Sequence, residues 1–122
     1  MPCLNLLVIR SADIQKAMEF YQTLGLEFVR ESHGHGPEHF AATVDGLTLE
    51  IYPLGQNQMP TTSVRLGFQV DRVDDLVSSL QTNGVTVVSQ PSDSEWGRRA
   101  VVKDFDGHVV ELLTLFDSNK GM

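Results

Sequence analysis

Two glutamates stand at equivalent places in two similar stretches of the chain. The stretch VDGLTLEIYPL, which contains Glu50, returns 61 positions later as FDGHVVELLTL, which contains Glu111. The dipeptide Asp-Gly precedes each glutamate at the same spacing. Two carboxylates in one cavity repel each other unless protons or a cation compensate them. The pair therefore predicts a site whose chemistry depends on the identity of that compensating group.

The elements that must position these glutamates also occur twice. LNLLVIR is typical of a strand, DIQKAMEFYQTL has apolar residues at helical spacing, and three short extended runs follow. The second half repeats this order, so each unit is predicted to be β-α-β-β-β. We predict one α+β domain, 1–122, with repeats 1–54 and 63–116 joined by a linker, 55–62.

Alternation along the strands assigns each side chain to one of two faces. In LTLEIY, Leu49 and Ile51 are expected to cover the helix, which leaves Glu50 and Tyr52 on the opposite face. The same alternation in HVVELL places Glu111 on the corresponding face of the second unit. A sheet with one apolar and one partly polar face, if it is curved, forms a concave cavity suited to a small molecule.

The second unit carries more specific local signals. VRLGFQV, Val64 to Val70, is predicted to be a strand whose alternate apolar residues face the helix. Asp71, with Asp74 three residues later, is predicted to cap the helix that follows, and Gly84 is predicted to end it.

Composition limits the partners of this domain. The chain of 122 residues is 41% hydrophobic and carries 16 acidic against 9 basic residues, a formal net charge of -7. That sign argues against nucleic-acid binding by neutralisation of phosphates. The run CLNLLVI is too short to span a membrane, and no basic residue precedes it. We expect a cytoplasmic protein with neither a nucleic-acid nor a membrane partner.

Three stretches, LNLLVIRSADIQKAMEFYQTLGLEF, RLGFQVDRVDDL and DFDGHVVELL, resemble the vicinal oxygen chelate superfamily of glyoxalase I, bleomycin-resistance proteins and extradiol dioxygenases. The likeness spans nearly the whole chain. It implies that the two βαβββ repeats form a half-open barrel around a concave cavity and that the protein is a homodimer. Because one fold hosts many activities, the resemblance alone does not assign the function.

The resemblance also implies where metal ligands would stand, one in the first and one in the last strand of each unit. Glu50 and Glu111 match the late positions, but the early positions hold Leu6 and Arg65. Leucine has no donor atom for a metal, and arginine is a permanent cation. We therefore hypothesise a cavity without metal in which Glu50, Arg65 and Glu111 form a charged cluster. Arg65 would pair with one or both glutamates, or with one glutamate and an anionic ligand, and Leu6 would line an apolar corner. Such a cluster could contact a ligand or could equally be a structural ion pair.

Histidines offer a second route to chemistry. His33, His35 and His39 fall within seven residues of SHGHGPEH, and short His-rich segments can bind metal. We expect His33 and His35 to lie at an exposed turn and His39 to lie across from Glu50, where an imidazole could act as a general acid or base. His108, after the second Asp-Gly, is expected to be exposed.

Three further side chains are candidates for ligand contact. Tyr52 shares the face of Glu50 and could donate to a ligand or could be a packed cross-strand aromatic. The stretch SEWGRRAVV resembles the family's loop and strand at the pocket mouth, which implies Trp96 as a stacking wall and Arg99 or Arg98 as an anion clamp. Alternation allows only one of the two arginines to face the cavity, and the resemblance favours Arg99.

These residues support two classes of function. The first is a protein that binds or transforms a small molecule without a metal cofactor, with Glu50, Glu111 and His39 as candidate catalytic groups and Arg65, Tyr52, Trp96, Arg99 and Leu6 as ligand contacts. The second is a metal-dependent lyase, isomerase or dioxygenase resembling glyoxalase I, which would use Glu50 and Glu111 with recruited histidines. Leu6 and Arg65 favour the first class, in which no cofactor is expected.

Overall fold

The computed structural model describes residues 1–116, and the chain divides into two compact units, Met1–Thr61 and a second that begins at Thr62. The first unit contains β1 (Leu6–Ser11), α1 (Ile14–Thr23), β2 (Val29–Glu31), β3 (His39–Val44) and β4 (Leu47–Pro53). The second unit contains β5 (Leu66–Gln69), α2 (Val73–Thr82), β6 (Thr86–Asp93), β7 (Gly97–Lys103) and β8 (Val109–Leu115). The predicted α+β class with two βαβββ repeats is confirmed.

Both sheets have the same strand order, which puts the glutamate strand in the interior. The orders are β1-β4-β3-β2 and β5-β8-β7-β6, with the first strand of each unit parallel to the last. Glu50 lies beside Val8 of β1, and Glu111 lies beside Gly67 of β5. The two glutamates therefore occupy equivalent positions within their sheets, as the sequence repeat predicts.

The apolar face of each sheet packs against the helix of its own unit. Ile9, Leu49 and Ile51 are buried in the first unit, and Leu66, Val110 and Leu112 are buried in the second. Full burial of each such side chain contributes roughly 1.5–3 kcal/mol. The helices complete these cores with Ala17, Phe20 and Tyr21 of α1 and Val73, Val77 and Leu80 of α2. The predicted strand at Val64–Val70 is shorter than expected, since β5 begins at Leu66 and Val64 is exposed.

The two helices begin in different ways. Asp13 caps α1 by accepting a hydrogen bond from the backbone N–H of Lys16. The prediction that Asp71 caps α2 is wrong, because the N-cap residue is Arg72 and its side chain makes no capping bond. Instead, Thr114 Oγ1 of β8 accepts from the Val73 N–H at 3.0 Å and donates to the Val70 carbonyl at 2.9 Å. The start of α2 is thereby fixed to the strand that carries Glu111.

The loop between β7 and β8 is built around Asp104. Its Oδ1 accepts hydrogen bonds from the backbone N–H groups of Asp106, Gly107 and His108, at 3.0, 2.9 and 2.9 Å. Its Oδ2 lies 2.8 Å from Nδ1 of His108, and both side chains are fully buried. The expectation that His108 is exposed is wrong, because this loop folds inward around the carboxylate. Within residues 1–116, neither helix is long and apolar enough to cross a membrane.

We expect Asp104→Ala to lower the free energy of unfolding by about 3–5 kcal/mol, because it leaves three backbone donors and a buried imidazole without their acceptor. Chemical denaturation of the purified variant measures this change. Asp75→Ala is the matched control, since Asp75 pairs with Arg72 on the surface and such pairs contribute at most about 1 kcal/mol. Equal effects of the two substitutions would contradict the structural role of Asp104.

Candidate functional site

Two arginines converge on one oxygen of Glu111. Arg65 donates to Glu111 Oε1 from Nε at 3.1 Å and from Nη2 at 2.7 Å. Arg99 Nη2 donates a third hydrogen bond to the same oxygen. The arginine at the early family position is therefore an ion-pair partner of the late-position glutamate in the same unit.

Strand register explains this convergence. Glu111 of β8 lies opposite Gly67 of β5 and opposite Val101 of β7. Arg65 precedes Gly67 by two residues, and Arg99 precedes Val101 by two residues. Side chains two residues apart on a strand share a face, so Arg99 approaches Glu111 from β7, while Arg65 approaches it from the residue that precedes β5.

Arg98 has different partners from Arg99. It lies 3.3 Å from Asp74 at the start of α2 and 3.2 Å from Asp93 of β6. The hydrogen bond to Asp93, and then the charge of Asp74, raise the pKa of Arg98 above its ordinary value. Of the two adjacent arginines, Arg99 is the one on the Glu111 face.

The arginines hold Glu111 in its ionised form. Hydrogen bonds from Arg99 and then from Arg65 lower the pKa of Glu111 below its ordinary value of 4.5, against a smaller opposing effect of burial. The side chains are 54% exposed for Arg65 and 35% exposed for Glu111, so solvent screens this cluster. Two guanidinium groups and one carboxylate leave one net positive charge at this centre.

A pocket of about 260 Å³ lies beside this cluster and is lined by Trp96, Arg99, Glu111 and Leu113. Trp96 is 62% exposed. A tight turn holds its backbone, since Ser94 Oγ donates to the Gly97 carbonyl at 2.8 Å and the Trp96 N–H donates to Ser94 Oγ at 3.2 Å. Gly97 is required there, because a Cβ at its φ of +152° would lie 2.3 Å from the Thr114 carbonyl oxygen.

The glutamate of the first unit has a histidine partner. His39 is 1% exposed, and its Nε2 lies 3.6 Å from Glu50 Oε2. Tyr52 stacks on the imidazole with ring centroids 4.0 Å apart and an interplanar angle of 10°. The expected proximity of His39 and Glu50 is thus present, and the Tyr52 ring is packed against a neighbouring strand.

The sequence did not point to Glu31, which also contacts His39. Glu31 Oε1 lies 3.3 Å from His39 Nε2, and the two residues are directly paired between β2 and β3. LEFVRES and HFAATV were predicted to be strands, which is the one signal that could have paired Glu31 with His39. Their register, however, depends on the length of the turn between them.

For the predicted cluster of Glu50, Arg65 and Glu111, the structure gives contacts within each unit separately. Arg65 and Glu111 pair within the second unit, while Glu50 contacts His39 within the first. Leu6 lies opposite Thr48 at the start of β1 and is exposed, on the same strand face as Val8 beside Glu50. A link between Glu50 and Arg65 stays a prediction.

Glu111→Gln should reduce the free energy of unfolding by up to about 1 kcal/mol at neutral pH, because partly exposed ion pairs contribute little. The pKa of Glu111 is lowered in the folded state, so its stabilising effect is present above pH 4.5 and is lost as the pH falls through that lower value. Denaturation at successive pH values should therefore show the two proteins converging in acid. A difference that persists in acid would contradict the assignment. Glu19→Gln, at an exposed position of α1, is the control.

Comparison with known proteins gives a consistent result. The Glyoxalase/Bleomycin resistance protein/Dioxygenase superfamily model matches residues 4–112. Lactoylglutathione lyase of Escherichia coli O157:H7 is 24% identical over 94% of both chains, and the uncharacterized protein YetH of Bacillus subtilis (strain 168) is 31% identical over 82% of this chain and 88% of its own. TnmS3, an antibiotic binding protein from Streptomyces sp. CB03234, superposes with a TM-score of 0.75 at 28% identity, covering 94% of this chain and 97% of that one. This protein belongs to the Glyoxalase/Bleomycin resistance protein/Dioxygenase superfamily.

Proposed function

We propose that the protein binds a planar aromatic small molecule carrying an anionic group, in the pocket beside Glu111 and without a metal at that centre. The observation that carries this proposal is the convergence of Arg65 and Arg99 on Glu111, next to the exposed indole of Trp96. The antibiotic-binding relative TnmS3 supports a binding function for the fold at this level of similarity.

The divalent metal common in this superfamily does not fit the residues around Glu111. The family positions in β1 and before β5 hold Leu6, which has no donor atom, and Arg65, which has no acceptor. The Arg65 guanidinium already donates twice to Oε1 of the Glu111 carboxylate. In this proposal the guanidinium supplies the positive charge that a metal ion supplies elsewhere.

The charge and shape of the pocket define the ligand class. One net positive charge at the Glu111 centre favours a carboxylate or phenolate, although the whole chain carries -7. Arg99 lines the pocket directly and can offer its remaining N–H groups to such an anion. The Trp96 indole and Leu113 provide apolar surface for a flat ring.

A second function is favoured by the contact between buried His39 and Glu50. An imidazole beside a carboxylate can take up and release a proton, so His39, Glu50 and Glu111 are the catalytic candidates if the protein transforms its ligand. Similarity to lactoylglutathione lyase also keeps the metal-dependent alternative, a lyase, isomerase or dioxygenase using Glu50 and Glu111 with recruited histidines. We further propose that Tyr52 and Leu6 contact the ligand. We also propose that the protein is a cytoplasmic homodimer, and sedimentation equilibrium tests the dimer.

The binding proposal predicts a specific mutational pattern. Trp96 is the only tryptophan of the chain, so its fluorescence should change saturably as naphthoate or anthracene carboxylate is added. In calorimetric titrations, Arg99→Met should lower the affinity for the carboxylates by about tenfold or more, because a charged hydrogen bond is lost. The affinity for the corresponding methyl esters should not change. Trp96→Ala should lower the affinity for the carboxylates and for the esters by roughly three- to tenfold, because the stacking contact is lost.

Arg98→Met is the matched control, since Arg98 is the neighbouring arginine and pairs with Asp74 and Asp93. Its affinity for the carboxylates should equal that of the unmodified protein. The proposal fails if no planar aromatic carboxylate binds saturably, or if Arg98→Met weakens binding as much as Arg99→Met.

A further inference from the structure

We propose that the β2–β3 hairpin forms a binding site for a divalent transition-metal ion of the zinc class, with Glu31, His33 and His39 as ligands and Glu50 as a neighbouring carboxylate beside His39. This site lies within the first unit, uses none of the residues around Glu111, and goes beyond the binding function proposed above.

The hairpin register brings the ligands together. Glu31 at the end of β2 pairs directly with His39 at the start of β3. His33 follows Glu31 by two residues, in the turn between the strands. Ala41 follows His39 by two residues and pairs with Glu50 of β4, so alternation places Glu50 on the same face.

The tautomer of His39 aims a lone pair at two carboxylates. His39 Nδ1 lies 3.2 Å from the Pro37 carbonyl oxygen, which can only accept a hydrogen bond, so Nδ1 carries the proton. In the neutral ring Nε2 then presents its lone pair to Glu31 at 3.3 Å and to Glu50 at 3.6 Å. Within residues 1–116, this buried Nε2 has no hydrogen-bond partner.

Acceptors facing each other in a buried place repel unless a cation lies between them. A metal-bound histidine usually donates its other N–H to a backbone carbonyl, as His39 does to Pro37. Stacking on Tyr52 further fixes the orientation of the imidazole. The arrangement around His39 therefore has the features of a preformed ligand.

Distances and donor types select the class of ion. Donor atoms of Glu31, His33 and His39 all lie within 4.8 Å of one another, and Glu31 Oε1 is 3.3 Å from His39 Nε2 and 3.6 Å from His33 Nε2. Ligands 2.0–2.1 Å from a tetrahedral zinc ion are themselves about 3.3 Å apart. Two imidazoles and one carboxylate suit zinc or cobalt better than calcium or magnesium. His33, 70% exposed, leaves the site open to solvent.

Untagged, metal-free protein should take up one equivalent of zinc by calorimetry, and cobalt should give the intense visible absorption of a tetrahedral complex. His33→Ala and Glu31→Gln should each weaken zinc binding by at least about tenfold, since loss of even an outer-shell partner costs about 10- to 100-fold. Both residues are partly or fully exposed, which keeps these variants foldable where His39→Ala would disturb the core.

His35→Ala is the matched control, because His35 lies in the same turn and is outside the three-residue cluster. Its zinc affinity should equal that of the unmodified protein. The proposal would be overturned if the protein took up no stoichiometric zinc and NMR showed protons on both nitrogens of His39. In that case a proton on Nε2, and not a metal ion, would lie between the imidazole and the carboxylates. The proposal would also be overturned by unchanged affinity in His33→Ala and Glu31→Gln, or by an equal loss in His35→Ala, which would indicate nonspecific binding to the turn.

Discussion

In each unit, the last strand pairs in parallel with the first, and this pairing constrains the positions of the helix and of the two middle strands. A parallel connection requires a long return path, so the helix and the two middle strands must be placed before the last strand closes the sheet. The last strand consequently lies in the interior, with neighbours on both sides. A side chain on its polar face is then within reach of side chains from two strands, which is the position that Glu50 and Glu111 occupy.

The glutamates at the equivalent backbone position of the two units have different partners for their negative charge. Glu111 is paired with two guanidinium groups, which are permanent cations. Glu50 is beside an imidazole, which can carry a proton, remain neutral or ligate a metal. The glutamate of the second unit therefore has permanent cations as partners, while the glutamate of the first unit has a partner whose charge can change. The duplication preserved the geometry of the carboxylate and not its partner.

Local patterns predicted the elements and faces of this fold, and interactions between distant segments account for what they missed. Helical spacing and strand alternation placed Glu50, Glu111 and Tyr52 on the correct faces because these depend on local backbone geometry. Sequence could not reveal that Thr114, 41 residues from Val73, satisfies the start of α2. The burial of His108 was missed for a related reason, since Asp104 turns an apparently ordinary Asp-Gly turn into a closed hydrogen-bonded loop.

The candidate site was predicted to a lesser extent than the fold, because charge compensation depends on register. Parity limited the pocket to one of Arg98 and Arg99, but the β7–β8 register was needed to put Arg99 on Glu111. Glu31 could not be assigned to His39 until the turn length fixed the β2–β3 pairing. A shift of one residue in the β2–β3 hairpin would separate Glu31 from His39, and a shift of one residue in the β7–β8 hairpin would separate Arg99 from Glu111. The partners of Glu111 and His39 therefore depend on hairpin register as well as on which residues stand in the repeated framework.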